Sequence, residues 1–234
     1  MITLYQPPGK WGLACLSPFG TKLETWLRMA GLAYEKKPGN PMQAPKGKVP
    51  YVGVDGKLLG DSQLIIEQLA PRAARDLDAG LSTEQRAVGH AVRKMLEEST
   101  YFIVVYFRWI AADGFAAYAP VLRTLMPLPT IVLPMARRRV RATLKGQGTL
   151  RHSRAEIAAL GAADLAALSG ILGERPYLLG AEPTTVDASV YAALSGILYF
   201  PVDNELRQSL RALPNLAAYT ERMHRRYFPE LPAE

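Results

Sequence analysis

Cysteine is almost missing from this chain. One residue, Cys15, stands among 234, which excludes an intrachain disulfide framework and any cysteine-rich zinc module. Histidine is nearly as scarce: His90, His152 and His224 lie far apart, with no H-E-x-x-H or comparable spacing between them, so no metal site is expected. No apolar run approaches the ~20 residues of a membrane-crossing helix. The longest, Leu125 to Ala136, is interrupted by Pro127, Pro129 and Pro134. The start, Met1-Ile2-Thr3-Leu4-Tyr5, has neither the basic opening nor the apolar stretch of a secretory leader. These gaps lead to the expectation of a cytoplasmic protein without a membrane span.

What is present suits a folded chain. Apolar residues make up 49% and charged ones 21%, enough for one large domain or two small ones with a real core. The formal net charge is +7, densest at Arg137-Arg138-Arg139 with Arg141 and Lys145 following. Aromatics do not interleave this cluster and no reader motif surrounds it, so it reads as a solvated helix face. No nucleic-acid partner is expected.

The first part of the chain alternates strand and helix signals. Ile2-Thr3-Leu4-Tyr5 is a short strand closed by Pro7-Pro8-Gly9, and a long loop follows. Ser17-Pro18 then opens a helix, serine at the N-cap and proline at the first turn. Leu23, Trp26, Leu27 and Ala30 recur at helical spacing before Gly31. Residues 33–36 read as a second strand, and 38–47 hold at most one turn of helix. Asp55-Gly56 between Tyr51-Val52-Gly53-Val54 and Lys57-Leu58-Leu59 is a hairpin signal. Asp61-Ser62 opens another helix through Ile65, Ile66 and Leu69.

The order β-α-β, an optional turn of helix, then β-β-α is the layout of an α/β thioredoxin-like domain, assigned to residues 1–75. Residues 76–82 read as a linker and 83–234 as an all-α domain. There, Ser82 with Gln85, Ser153 with Glu156, and Thr184 with Asp187 are capping-box starts.

Three local features converge on one kind of ligand. Val49-Pro50 precedes a strand where thioredoxin-like folds carry a cis proline, and an extended peptide can pair with the backbone there. Gly60-Asp61-Ser62 sets a carboxylate and a hydroxyl at a helix N-terminus, where the backbone N–H groups accept an anion and Asp61 can meet an ammonium. Gly180-x-x-Pro183-Thr184-Thr185-Val186-Asp187 heads a helix in the all-α half.

Together these resemble a soluble glutathione transferase over the whole chain. The loop Pro8-Gly9-Lys10-Trp11-Gly12-Leu13, the helix from Ser17-Pro18-Phe19-Gly20, Phe107-Arg108-Trp109 and Gln147-Gly148-x-x-Arg151-His152-Ser153 are similar to the failed-axon-connections and metaxin-like branch. The resemblance implies glutathione as co-substrate, an apolar electrophile as second substrate, a homodimer, and no metal. Members of that branch also include partners that are not enzymes. A non-catalytic adaptor is therefore the alternative, and a glutathione-dependent thiol oxidoreductase acting through Cys15 is the third reading.

The resemblance also assigns residues. Val49 and Pro50 would pair with the cysteinyl unit of glutathione, Asp61 and Ser62 would hold its γ-glutamyl end, and Lys48 would reach its glycyl carboxylate. The reacting species is the thiolate, a minor form of a free thiol at neutral pH. Ser17 is the leading candidate for the hydroxyl that stabilises it, and Tyr5 is the rival. An ordinary N-cap is the competing role for Ser17. Cys15 precedes the helix, and many relatives carry the cysteine where this chain has Gly20, which speaks against redox chemistry. The electrophile pocket is expected from the aromatic and cationic cluster Tyr101, Tyr106, Arg108 and Trp109, in which helical spacing sets Tyr101, Val105 and Arg108 on one face, joined by Tyr5 and Trp11, although aromatics of this kind are commonly core.

Overall fold

Alternation along the first strand sets up the sheet half. In β1 (Ile2–Gln6), Ile2, Leu4 and Gln6 are buried while Thr3 and Tyr5 turn to the opposite face. The structure is a computed structural model, which describes residues 1–125 and 132–232. The proline-broken run from Leu125 to Ala136 lies partly outside the described residues.

Helix α1 (Pro18–Met29) connects β1 to β2 (Tyr34–Pro38), which runs parallel to it. The hairpin β3 (Tyr51–Val54) and β4 (Lys57–Gly60) turns at Asp55-Gly56, and the sheet order is β2-β1-β3-β4. Leu4 faces Val52 across the antiparallel β1–β3 ladder. Between β2 and β3 there are only turns, so the optional helix does not form. The second strand begins at Tyr34 rather than residue 33 and runs on to Pro38. Helix α2 (Ser62–Leu69) then packs Ile65, Ile66 and Leu69 onto the core.

The remaining elements are helical. Helix α3 (Thr83–Met95) continues through a π-helical segment, 96–100, into α4 (Tyr101–Val105) and a second π-helical segment, 106–110. After these come α5 (Ala112–Leu125), α6 (Val132–Gln147), α7 (Arg154–Leu172), α8 (Thr185–Leu198), α9 (Glu205–Arg211) and α10 (Pro214–Tyr227). The capping boxes of α3 and α7 form as expected from Ser82 with Gln85 and Ser153 with Glu156.

One apolar core runs through both halves, from Leu4, Trp26 and Val52 to Leu165, Leu194 and Leu216. A second cluster gathers Leu16, Tyr118, Leu122 and Phe200 beneath the loop that carries Trp11. That loop is tight. Trp11 and Gly12 have φ of +56° and +72°, and a Cβ at position 12 would sit 2.3 Å from the Pro232 carbonyl oxygen.

Two sequence expectations need correction. By length and hydropathy α7 is apolar enough to cross a membrane, because its alanines keep hydropathy high without forming a leucine-rich run. Its buried stripe, Ile157, Gly161, Leu165, Leu168 and Leu172, nevertheless packs into the helical half. The arginine cluster is not wholly a solvated face either. Arg137 donates to the Trp109 and Ile110 carbonyls at 2.9 and 3.1 Å and stacks 3.8 Å from the Phe115 ring centroid, while Arg138 and Arg139 are exposed.

Candidate functional site

The site lies where α1 and α2 of the sheet half meet the long α3–α4 helix and α8. Ser17 occupies the N-cap position of α1 in extended backbone conformation, yet its side chain makes no capping bond. Among the described residues its hydroxyl has no hydrogen-bond partner, so the competing N-cap role is unfilled and the donor remains available at a helix N-terminus.

Val49-Pro50 is cis, as the sequence position suggested. The Val49 backbone makes no hydrogen bond within the described chain, and Lys48 beside it is exposed and unpaired. Asp61 caps α2: its Oδ1 accepts the Gln63 and Leu64 amides at 3.0 and 3.2 Å, leaving Oδ2 open. Asp61 adopts φ +80°, an uncommon left-handed value for a residue with a Cβ. Ser62 is buried next to it and its hydroxyl is unbonded.

Lys22 was not anticipated. It is buried in the middle of α1, where its ammonium donates to Glu97 at 2.6 Å and Gln63 at 2.9 Å. Burial pulls its pKa down and the Glu97 carboxylate opposes this. Ser189 Oγ also donates to Glu97, at 3.0 Å. This network stitches both halves together beside the Asp61 helix terminus. In sequence Lys22 reads as one more polar residue of an amphipathic helix, and only the docking of the second half buries it.

Two cavities open along this seam. A narrow one of about 30 Å³ is bounded by Phe19, Lys22, Glu97, Thr100, Tyr101 and Arg108. A second, of about 200 Å³, lies between Ser17, Tyr101, Val105, Arg108, Trp109 and Tyr118. Among the described residues no carboxylate lines the larger one. Tyr101, Val105 and Arg108 share its wall, as their helical spacing suggested.

Tyr5 and Trp11 do not line it. Strand alternation puts Tyr5 on the far face of the sheet, where its ring stacks on Tyr51 at 4.6 Å. Trp11 packs edge-on against Phe200 at 5.4 Å and tilts over Tyr118 at 6.3 Å, so it backs the wall without reaching the cavity. Trp109 lines the cavity with Tyr101 and Arg108, Tyr106 of the same expected cluster does not, and Tyr118 is a pocket residue that the sequence did not point to. Tyr118 lies on α5, beyond the bend after residue 110, and no local pattern relates it to Ser17.

Cys15 is buried, and burial pushes its thiol up to about 12. It also occupies the space a side chain at position 20 would need, since a Cβ on Gly20 would lie 2.3 Å from its Sγ. A residue that fills this space and stays protonated is packing, not a nucleophile. At pH 8 the native protein should react with a thiol-specific disulfide reagent more than about a hundredfold more slowly than after unfolding in urea. Comparable rates would mean that the thiol is accessible and ionised.

Among the described residues no group of three histidine, cysteine, aspartate or glutamate side chains is placed to hold a metal ion.

A thioredoxin-like sheet half with a cis proline and a capped helix terminus, set against an all-helical half with a cavity on the seam, defines the glutathione-transferase class of fold. The comparisons agree. Residues 18–114 match the glutathione S-transferase N-terminal domain, and residues 161–223 match the C-terminal domain of the same family. An isoprene-epoxide–glutathione S-transferase from Rhodococcus sp. (strain AD45) is 33% identical, the match covering 97% of this chain and 99% of that protein. Failed axon connections of Drosophila melanogaster is 34% identical over 98% of this chain and 59% of its own length. Metaxin-1 of Mus musculus is 28% identical over 94% of this chain and 73% of that one. The beta-etherase LigF from Sphingobium sp. strain SYK-6 shares the fold, with a TM-score of 0.65 at 19% identity, over 95% of this chain and 94% of that structure. The chain belongs to the glutathione S-transferase family, in its failed-axon-connections and metaxin-like branch.

Proposed function

We propose that this protein is a glutathione transferase that binds reduced glutathione on the sheet half and holds its thiolate with Ser17 for attack on a small apolar electrophile. The unbonded Ser17 hydroxyl at the mouth of the 200 Å³ cavity carries the reading. In this reading the open backbone of Val49 pairs with the cysteinyl unit, with Pro50 shaping the approach. Asp61 Oδ2 meets the γ-glutamyl ammonium, Ser62 meets its carboxylate, and Lys48 takes the glycyl end. A relative named for conjugating an isoprene epoxide supports a small electrophile. A homodimer, carried over from the family resemblance, belongs to the same reading, and so does a cytoplasmic location.

The adaptor reading draws on relatives whose names carry no transferase activity. Calorimetric titration with reduced glutathione separates the two. Binding in the micromolar to low-millimolar range supports the transferase, and absence of heat points to a protein partner instead. Asp61→Asn keeps an oxygen to cap α2 but removes the charge. It should weaken glutathione by roughly tenfold to a hundredfold, the worth of one charge-assisted contact, with little change in melting temperature. Equal affinity in the variant would place the γ-glutamyl end elsewhere. The thiol-oxidoreductase reading loses its support with the burial of Cys15.

A further inference from the structure

Arg108 is a buried cation without a carboxylate. Its residue is 4% exposed, and its guanidinium donates only to backbone carbonyls, Leu16 at 3.0 Å and Gly196 at 2.6 Å. Its Nε has no hydrogen-bond partner among the described residues. A buried charge is costly unless something of opposite sign meets it. Beyond those two carbonyl dipoles it faces the ring of Phe200, 5.3 Å from the guanidinium carbon.

The same cavity wall carries two phenols that bond to nothing among the described residues, Tyr101 and Tyr118. Tyr118 packs edge-on against Trp109 at 5.3 Å and against Phe200 at 6.2 Å, so it shares the Phe200 surface with Arg108. Burial pushes the Tyr118 hydroxyl above its usual range while the charge of Arg108 opposes this. It is a protonated donor at neutral pH.

An excess of donors around an unpaired cation, with saturated walls at Leu16, Val104, Val105 and Leu122, fits an anion that exists only during reaction. On the strength of the transferase reading, we propose that Arg108 and Tyr118 form an oxyanion site, which adapts this enzyme to electrophiles whose oxygen takes up the charge when sulfur attacks. An epoxide illustrates the balance. The thiolate sulfur forms a bond to one ring carbon, the bond from that carbon to oxygen breaks, and its electron pair stays on oxygen. The oxygen takes the Tyr118 proton while the guanidinium holds the charge. The phenolate then recovers a proton from water, replacing the one glutathione lost when its thiol ionised.

The test compares wild type with Tyr118→Phe, which removes a hydroxyl that bonds to nothing among the described residues. Two electrophiles are used, styrene oxide and benzyl chloride, the second of which expels chloride and needs no proton. The expected result is that the ratio of kcat/KM on styrene oxide to kcat/KM on benzyl chloride falls tenfold or more. Glutathione affinity and the thiol pKa of bound glutathione should be unchanged. Arg108→Lys, which retains the charge and shifts the donors, should follow the same selectivity with a smaller loss. An equal loss on both electrophiles, no loss on either, or a raised thiol pKa in Tyr118→Phe overturns the proposal. A wild type that binds glutathione and opens no epoxide overturns it while leaving the transferase reading intact. A wild type that binds no glutathione overturns both.

Discussion

Ser17→Ala should lower turnover by roughly tenfold to a hundredfold at a pH below the thiol's ordinary range, with glutathione affinity and folding nearly unchanged. A hydrogen bond to a charged acceptor contributes about 1.5–3 kcal/mol, or one to two pKa units at about 1.4 kcal/mol each. Removing it raises the pKa of bound glutathione by that amount, and the fraction present as thiolate falls in proportion. The loss should shrink as pH rises through the variant's thiol pKa, because the thiolate then forms unaided. Folding should tolerate the change because the hydroxyl caps nothing: the Ser17 side chain makes no bond to the first turn of α1. Steady-state rates across pH, beside a thermal melt, check both halves of the expectation. Unchanged turnover would remove Ser17 from the chemistry, and a large fall in melting temperature would restore its role as a structural cap.

Asp187→Ala should instead destabilise the fold by about 3–5 kcal/mol, which for a chain of this size lowers the melting temperature by on the order of 10 °C. The carboxylate is fully buried at the head of α8. Its Oδ1 accepts the Leu178 amide at 2.9 Å and the Tyr219 hydroxyl at 2.9 Å, while Oδ2 accepts the Thr184 amide at 2.8 Å and its hydroxyl at 3.0 Å. Burial pushes its pKa above the usual carboxylate range, and these four donors oppose the shift without cancelling it. Truncation strands them in a dry interior, where each unsatisfied group costs about 1–3 kcal/mol. Because α8 packs against α1, the damage should reach the sheet half. Urea unfolding measures the change directly, and a shift below about 1 kcal/mol would mean the site relaxes or admits water.

These two residues also show what the sequence could and could not convey. Asp187 was legible because a capping box is local: three residues' spacing at a helix start carries the whole signal. The same holds for the Asp55-Gly56 hairpin, for Asp61 at the head of α2, and for the proline at 50. Tyr5 was misplaced although the information was present, since Leu4 must face the core and its neighbour in a strand must therefore face away.

Other features were not readable at all. The π-helical segments at 96–100 and 106–110 use residues that would serve equally in an α-helix, yet they present Glu97 and Arg108 to the seam. Lys22, Arg108 and Arg137 look like solvated charges until a second element covers them. Tyr118 joins Ser17 only because α5 folds back at residue 111. A cavity assembled across four elements leaves no spacing rule in the chain.

The central claim is that the seam between the two halves binds glutathione and ionises its thiol. The most direct measurement is a pH titration of thiolate ultraviolet absorbance in the protein–glutathione complex, run on wild type and Ser17→Ala. The account predicts a thiol pKa at least one unit below that of free glutathione in the wild type, returning most of the way to the free value in the variant. Bound glutathione titrating at the free value in both proteins would contradict it.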